Sequence, residues 1–328
     1  MAPTTQLPKA PSPDAVVSLS LLSGGHIHLA GEEFVHGATE TLICPSMAWL
    51  LTHRATGANL LFDLGLRKDA HNYIPPVAER IRTGRVTISV PEDVFDSLAR
   101  ARVDPATDVD AVIFSHLHYD HVGDPGRFCG ERTRFVVGPG TVETVLSGPR
   151  TYPADGGSIF DSNLLPRERT VELPFPSSAA AASTPAVSLL SNGEKRHWEA
   201  LGPFPAAMDY FGDGSVFIVN APGHLAGHLN MLVRAGVAGV DGDGEGEKWM
   251  YLAGDTAHDV RVYKGTRELA VYPDPKKAGH WACAHADKEA AHEHLLRVRK
   301  LDEEEAGVEV VLSHDFGWFE EQGPKWMV

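Results

Sequence analysis

The stretch Ala111–Asp124, AVIFSHLHYDHVGD, constrains this chain more than any other. An apolar, β-branched run leads straight into His116, His118, Asp120 and His121. Alternate residues of an extended segment point the same way, so His116 and His118 converge on one point. Asp120 and His121 follow on the turn and face a second point beside the first. Two neighbouring cations need this arrangement: neutral imidazoles and a carboxylate, delivered by a short rigid piece of backbone. A single HxH arises often by chance. HxHxDH directly after a strand is far rarer, and a polar loop with several histidines explains it poorly.

The same device recurs along the chain. VFIVN (Val216–Asn220) is followed by Ala221-Pro222-Gly223-His224, WMYLAG (Trp249–Gly254) by Asp255, and VEVVLS (Val308–Ser313) by His314-Asp315. Four apolar strands therefore end in a potential metal ligand, which is where an α/β scaffold presents its reactive groups. Further strands are expected at Val16–Leu22, Ala48–His53, Leu60–Asp63, Arg134–Val137 and Leu229–Val233. Helical spacing appears at Pro91–Arg102 and Asp287–Leu301, the latter with Asp287 as N-cap. The pattern predicts a mixed α/β chain of sheets with flanking helices. Residues 1–15, rich in Pro, Thr and Ser, read as a disordered lead-in and not a signal peptide. Residues 16–328 read as one domain with a loop-rich insertion around 138–203, a lid or substrate-facing excursion. Ser177–Pro185 reads as a loop or short helix without chemistry. Asp241–Glu247 reads as a solvated hairpin tip, because it lacks the ligand spacing and terminal Glu of a calcium loop.

Composition removes several partner classes. The chain has 328 residues, 43% hydrophobic and 22% charged, which excludes a disordered chain. Its 29 Lys+Arg against 44 Asp+Glu give a formal net charge of −15, a field that repels phosphate backbones and argues against nucleic acid. No window of about 18 residues is free of charge or turn residues, so no membrane partner is expected. Cys44, Cys129 and Cys283 form no CxxC pair, which fits a reducing, cytoplasmic compartment. Gly-x-Ser-x-Gly is absent, which removes the nucleophile-elbow route to hydrolysis.

Together, HxHxDH, PGHxxGH, GD and SHD resemble the metallo-β-lactamase superfamily, and within it the branch of N-acyl-homoserine lactonases and related lactone and lactam hydrolases. The resemblance runs over nearly the whole chain, about Val16 to Phe319. It implies an αββα sandwich, two packed sheets with helices outside and metals at the sheet edge. It further implies that His116, His118 and His224 hold a first metal, that Asp120, His121 and His314 hold a second, and that Asp255 bridges them. Asp63 of FDLG resembles the family's early aspartate, which supports the ligand loop through hydrogen bonds. Two zinc ions per chain are expected, although manganese, iron or cobalt would accept the same ligands. The lactonase branch carries a tyrosine three residues after the bridging aspartate; here that position is His258. Its ring is read either as a donor to the substrate carbonyl or as a hydrogen-bond partner of a ligand carboxylate. His228 competes with His224, and the Pro-Gly turn before His224 leaves His228 beside the ligands.

The remaining candidates are weaker. His26 and His28 form another HxH without a neighbouring carboxylate and read as a strand face. His280, His285, His292 and His294 read as solvated residues on or beside a charged helix. Phe204, Met208, Phe211, Trp281 and Phe316 are candidates to line an apolar pocket, with core packing as the equal alternative. The implied activity is the di-zinc opening of a cyclic ester or amide in a small apolar substrate, quorum-signal lactones among them. Asp120 would assist the leaving group, and His258 is the further catalytic candidate. Thioester, phosphotriester or β-lactam hydrolysis is the alternative, followed by a mononuclear iron persulfide dioxygenase, whose second metal site is incomplete. A nuclease would want a basic groove. The expected partner is a small molecule, with oligomeric state open.

Overall fold

Twelve strands divide into two halves, each laid out in sequence order. The first half contains β1 (Val17–Leu22), β2 (Ala48–His53), β3 (Asn59–Phe62), β4 (Ala111–Ile113), β5 (Arg134–Val137) and β6 (Thr170–Glu172). It is antiparallel from β1 to β3 and parallel from β3 to β6. The second half contains β7 (Glu199–Leu201), β8 (Phe204–Asp209), β9 (Val216–Asn220), β10 (Leu229–Ala235), β11 (Lys248–Leu252) and β12 (Val308–Val311). It is antiparallel up to β11, and β12 pairs with β11 in parallel. This computed structural model describes residues 7–176, 185–190, 192–236, 248–274, 277–305 and 307–328.

The halves are joined where Val17 of β1 pairs with Ala235 of β10, and otherwise pack face to face. Leu19, Leu51, Phe62 and Ile113 from one half share a core with Met208, Ile218, Met231 and Met250 from the other. Each outer face is covered by a helix. α1 (Val94–Ala101) sets Val94, Phe95 and Leu98 against Leu61, Val112 and Phe135. α2 (Lys288–Glu304) sets Leu295, Val298 and Leu301 against Val219, Leu232 and Tyr251. That is the αββα sandwich. Strands covered on both faces carry side chains that are apolar in both directions, which is why AVI, FVV and WMYL read as unbroken hydrophobic runs. Asp93 and Asp287 cap the two helices, accepting the backbone N–H groups of Phe95 and Asp96, and of Ala290.

Sequence reading and structure differ in places. β4 and β12 end two residues early, because the backbone leaves the ladder to carry the ligand turns. A small sheet of His26–Ala30, Thr41–Pro45 and Thr87–Ser89 was not expected, apart from the strand face that holds His26 and His28. The lead-in read as disordered is packed from residue 7: Leu7 is buried, and the Pro8 carbonyl accepts a hydrogen bond from Arg234. Within residues 138–203, β6 extends the first half and Ala186–Ser188 pairs with Lys195–His197. Asp241–Glu247, and Ser177–Pro185 apart from its last residue, lie outside the described residues. Among the described residues, no helix is long and apolar enough to cross a membrane.

Candidate metal centre

The parallel neighbours β3 and β4 set Asp63 beside the histidine loop. Asp63 is fully buried and sits at φ 60°, a left-handed conformation uncommon outside glycine. Its Oδ1 accepts the Ser115 backbone N–H at 2.7 Å, and its Oδ2 accepts the Ser115 hydroxyl at 2.7 Å and His121 Nδ1 at 2.8 Å. One carboxylate therefore ties the start of the loop to its far end. The Ser115 hydroxyl, having donated to Asp63, accepts from His116 Nδ1 at 3.0 Å. These contacts leave His116 and His121 with their Nε2 lone pairs aimed inward.

Three imidazoles converge at the first point. His116 Nε2 lies 2.8 Å from His118 Nδ1, and His224 Nε2 lies 3.2 Å and 3.1 Å from the two. Ligands bound at 2.0–2.1 Å around one tetrahedral ion stand about 3.3 Å apart, so these separations fit a single cation. Burial holds His116 and His224 well below the ordinary imidazole pKa and His118 down at about 4, which keeps all three neutral. His224 reaches the cluster over a tight turn. Gly223 has φ +127°, and a side chain there would meet the Ala291 nitrogen at 2.2 Å.

Asp120, His121 and His314 gather at the second point. His314 donates Nδ1–H to the Pro45 carbonyl at 2.7 Å, which turns its Nε2 inward. Asp255 stands between the groups with its oxygens divided. Oδ1 is 3.2 Å from His121 Nε2 and 3.3 Å from His314 Nε2, while Oδ2 is 3.5 Å from His116 Nε2 and 3.3 Å from His224 Nε2. Asp120 Oδ2 is 3.6 Å from His314 Nε2 and 3.9 Å from His121 Nε2. His121 Nε2, His314 Nε2 and Asp255 Oδ1 are buried without a hydrogen-bond partner among the described residues. Acceptor atoms buried together in this way fit a positive ion. Burial would lower His121 and His314, but the carboxylates outweigh it: Asp255, Asp63 and Asp120 hold His121 well above its ordinary value, and Asp255 and Asp120 raise His314. For Asp255, burial pushes upward, yet His121, His314 and His258 hold it well below the carboxylate range.

The other expected residues fall into place around this cluster or away from it. His228 donates Nδ1–H to the Ala221 carbonyl at 2.8 Å and accepts the Asp255 backbone N–H on Nε2 at 3.0 Å, so both nitrogens are engaged. His258 Nε2 lies 3.0 Å from Asp255 Oδ2, and its ring packs on Phe34 at 4.4 Å. Phe204 and Met208 are wholly buried core residues, because β8 packs its side chains inside the sandwich. Phe211 stacks on His53 at 3.8 Å beside Thr56, Asp110 and Arg134, at the end of the first half opposite the histidine loop. Trp281 and Phe316 are surface residues, 70% and 45% exposed.

Two histidines read as solvated are buried, and this is a correction. His294 lies on the same stripe of α2 as Ala291, Leu295 and Val298, and bonds to Asn230 Oδ1 at 2.7 Å. Its helical spacing carried that signal, obscured by the charged residues around it. His285 is 3% exposed and packs edge-on against His224 and His258. Phe160, from the insertion, stacks over His118 at 5.6 Å. Nothing in the local sequence marked either residue.

Comparison with known proteins agrees with this geometry. Residues 42–146 match the family model of the metallo-beta-lactamase superfamily. The chain is 33% identical over 205 residues to the gamma-lactamase MBL2 of Gibberella moniliformis, covering 62% of this chain and 73% of that one. It is 29% identical over 275 residues to the cytochrome P450 monooxygenase mpaDE of Penicillium roqueforti, covering 78% of this chain and 28% of that one. The chain spans between 22% and 28% of the length of the first curated relatives it matches. A solved N-acyl homoserine lactone hydrolase, with the product N-hexanoyl-L-homoserine at its catalytic metal center, superposes with a TM-score of 0.62 at 17% identity, over 93% of this chain and 96% of that one. The chain belongs to the metallo-beta-lactamase superfamily, with the fold and donor set of a metal-dependent hydrolase.

Proposed function

We propose that this protein is a dinuclear zinc hydrolase that opens a cyclic ester or amide, a lactone or lactam, of a small substrate. The observation that carries the reading is the division of Asp255, with one oxygen turned to each histidine group. In this reading His116, His118 and His224 hold one ion, Asp120, His121 and His314 hold the other, and Asp255 spans both. Two such ions would lower the pKa of a water toward neutrality and polarise a carbonyl. The protein's own groups do the rest. Asp63, Ser115 and the Pro45 carbonyl fix the ring tautomers, so the donor lone pairs are set before substrate arrives. His258 Nε2 meets Asp255 Oδ2, the oxygen other than the one that faces His121 and His314, and so acts through that carboxylate. Asp120, the least enclosed of the carboxylates in the cluster, takes a proton during attack and returns it to the departing alkoxide or amine. The gamma-lactamase names of two fungal relatives support ring opening as the reaction class.

Metal analysis of purified, zinc-replete protein should give about two ions per chain. A panel of lactones, lactams, thioesters and phosphotriesters should show the highest kcat/KM on one of the first two classes. A stoichiometry fixed near one would end the dinuclear mechanism, and turnover confined to thioesters or phosphotriesters would overturn the substrate class.

A further inference from the structure

A short loop leads from the strand Trp281–Ala282 into α2 and is laced to the turn that carries His224. Ala286 N–H donates to the His224 carbonyl at 3.0 Å, and Asp287 N–H donates to the Gly223 carbonyl at 2.8 Å. These bonds press His285 against the donor cluster. Its ring stands edge-on to His224 at 5.1 Å and to His258 at 5.5 Å. His285 is 3% exposed, and neither of its ring nitrogens has a hydrogen-bond partner among the described residues. A buried polar atom left unmet is costly, and two on one ring are kept only where something else meets them. The contrast with His228 is sharp, since both nitrogens of that ring are engaged within the protein. Phe34 and Phe160 supply apolar rings over His258 and His118, so His285 adds a polar group to a partly apolar rim. His224, His258 and His285 also stand close enough to share a cation, and measurement of bound metal separates that occupant from a substrate group.

We propose that His285 is a specificity-determining substrate contact: its imidazole hydrogen-bonds a polar group, an amide or hydroxyl, that flanks the ring being opened. The proposal rests on the ring-opening reading above and narrows it, because the preferred substrate then carries such a group instead of being wholly apolar. A neutral imidazole offers one N–H and one lone pair, so it suits a carbonyl oxygen or a hydroxyl equally well.

The test pairs a residue change with a substrate change. N-hexanoyl-L-homoserine lactone carries an exocyclic amide, and γ-decalactone carries the same five-membered ring with an alkyl chain only. Wild type, His285→Phe and His285→Gln are assayed on both, with kcat and KM separated and metal content measured. Loss of one neutral hydrogen bond predicts that His285→Phe weakens kcat/KM on the amide lactone by about tenfold, chiefly through KM. Turnover of the alkyl lactone and metal content should stay near wild type, and His285→Gln should recover part of the loss. An equal loss on both lactones, or a fall in bound metal, would overturn the proposal in favour of a role in holding His224 or a cation. If wild type opens neither lactone, the ring-opening reading is decided separately by the panel of lactones and lactams above. Nitrogen-15 spectra of the histidine rings during titration with N-hexanoyl-L-homoserine then decide: movement of the His285 signals supports the contact, and unmoved signals remove it.

Discussion

The donor groups on either side of Asp255 use similar residues in opposite electrostatic surroundings. His116, His118 and His224 face one another with nitrogens 2.8–3.2 Å apart, and burial keeps them neutral. Asp255 and Asp120 raise the affinity of both His121 and His314 for protons, and Asp63 adds to that of His121. The same negative field favours a cation, so proton and metal compete for the second group over a range in which the first is already free. The contrast teaches that two neighbouring donor sets that share one loop need not bind, or lose, an ion together.

The largest expected effect is at the residue the groups share. Asp255→Ala should lower kcat/KM by on the order of 10³-fold or more and reduce metal content at both groups. If one ion stays at full occupancy, the groups are less coupled than their shared carboxylate indicates. Asp63→Asn should act unevenly. Asp63 holds His121 directly at 2.8 Å and His116 only through the Ser115 hydroxyl, so zinc affinity at the second group should weaken about 10–100-fold and at the first by less. Equal weakening at both groups would break the comparison.

Acid titration of protein loaded with zinc sharpens it further. A raised pKa keeps the proton on His121 and His314 to higher pH, so as pH falls the second group should release zinc first, by about tenfold in affinity per unit for each protonated ligand. The first group should hold to lower pH, because burial weakens the proton affinity of all three of its imidazoles. Release of both ions in one step would contradict the electrostatic distinction. The smallest effect is expected at His292, an exposed residue of α2 outside both groups: His292→Ala should leave activity and zinc content within experimental error of wild type.

Much of this was legible in the chain itself. The turns that follow β4, β9, β11 and β12 carry their donors within a few residues of an apolar run, and such short-range order survives without knowledge of the fold. Asp63 was legible only through resemblance, since its bonds to Ser115 and His121 cross more than fifty residues. Phe204 and Met208 illustrate the limit. An aromatic or a methionine near a donor motif reads equally as pocket or core, and only the packing of β8 between its neighbours decides for core.

What the sequence by itself determined is the chemistry available: the HxHxDH loop, the later His224, Asp255 and His314, and the apolar runs that force both sheet faces to be covered. Period-two and period-3.6 patterns act locally, so they fix strands, helices and the donors at their ends. Tertiary structure alone decided which nitrogen of each ring faces inward, how the oxygens of Asp255 divide, and that His285 and Phe160 border the cluster. Those outcomes depend on hydrogen bonds and contacts between segments far apart in the chain, and on burial that exists only once the two halves have closed on each other.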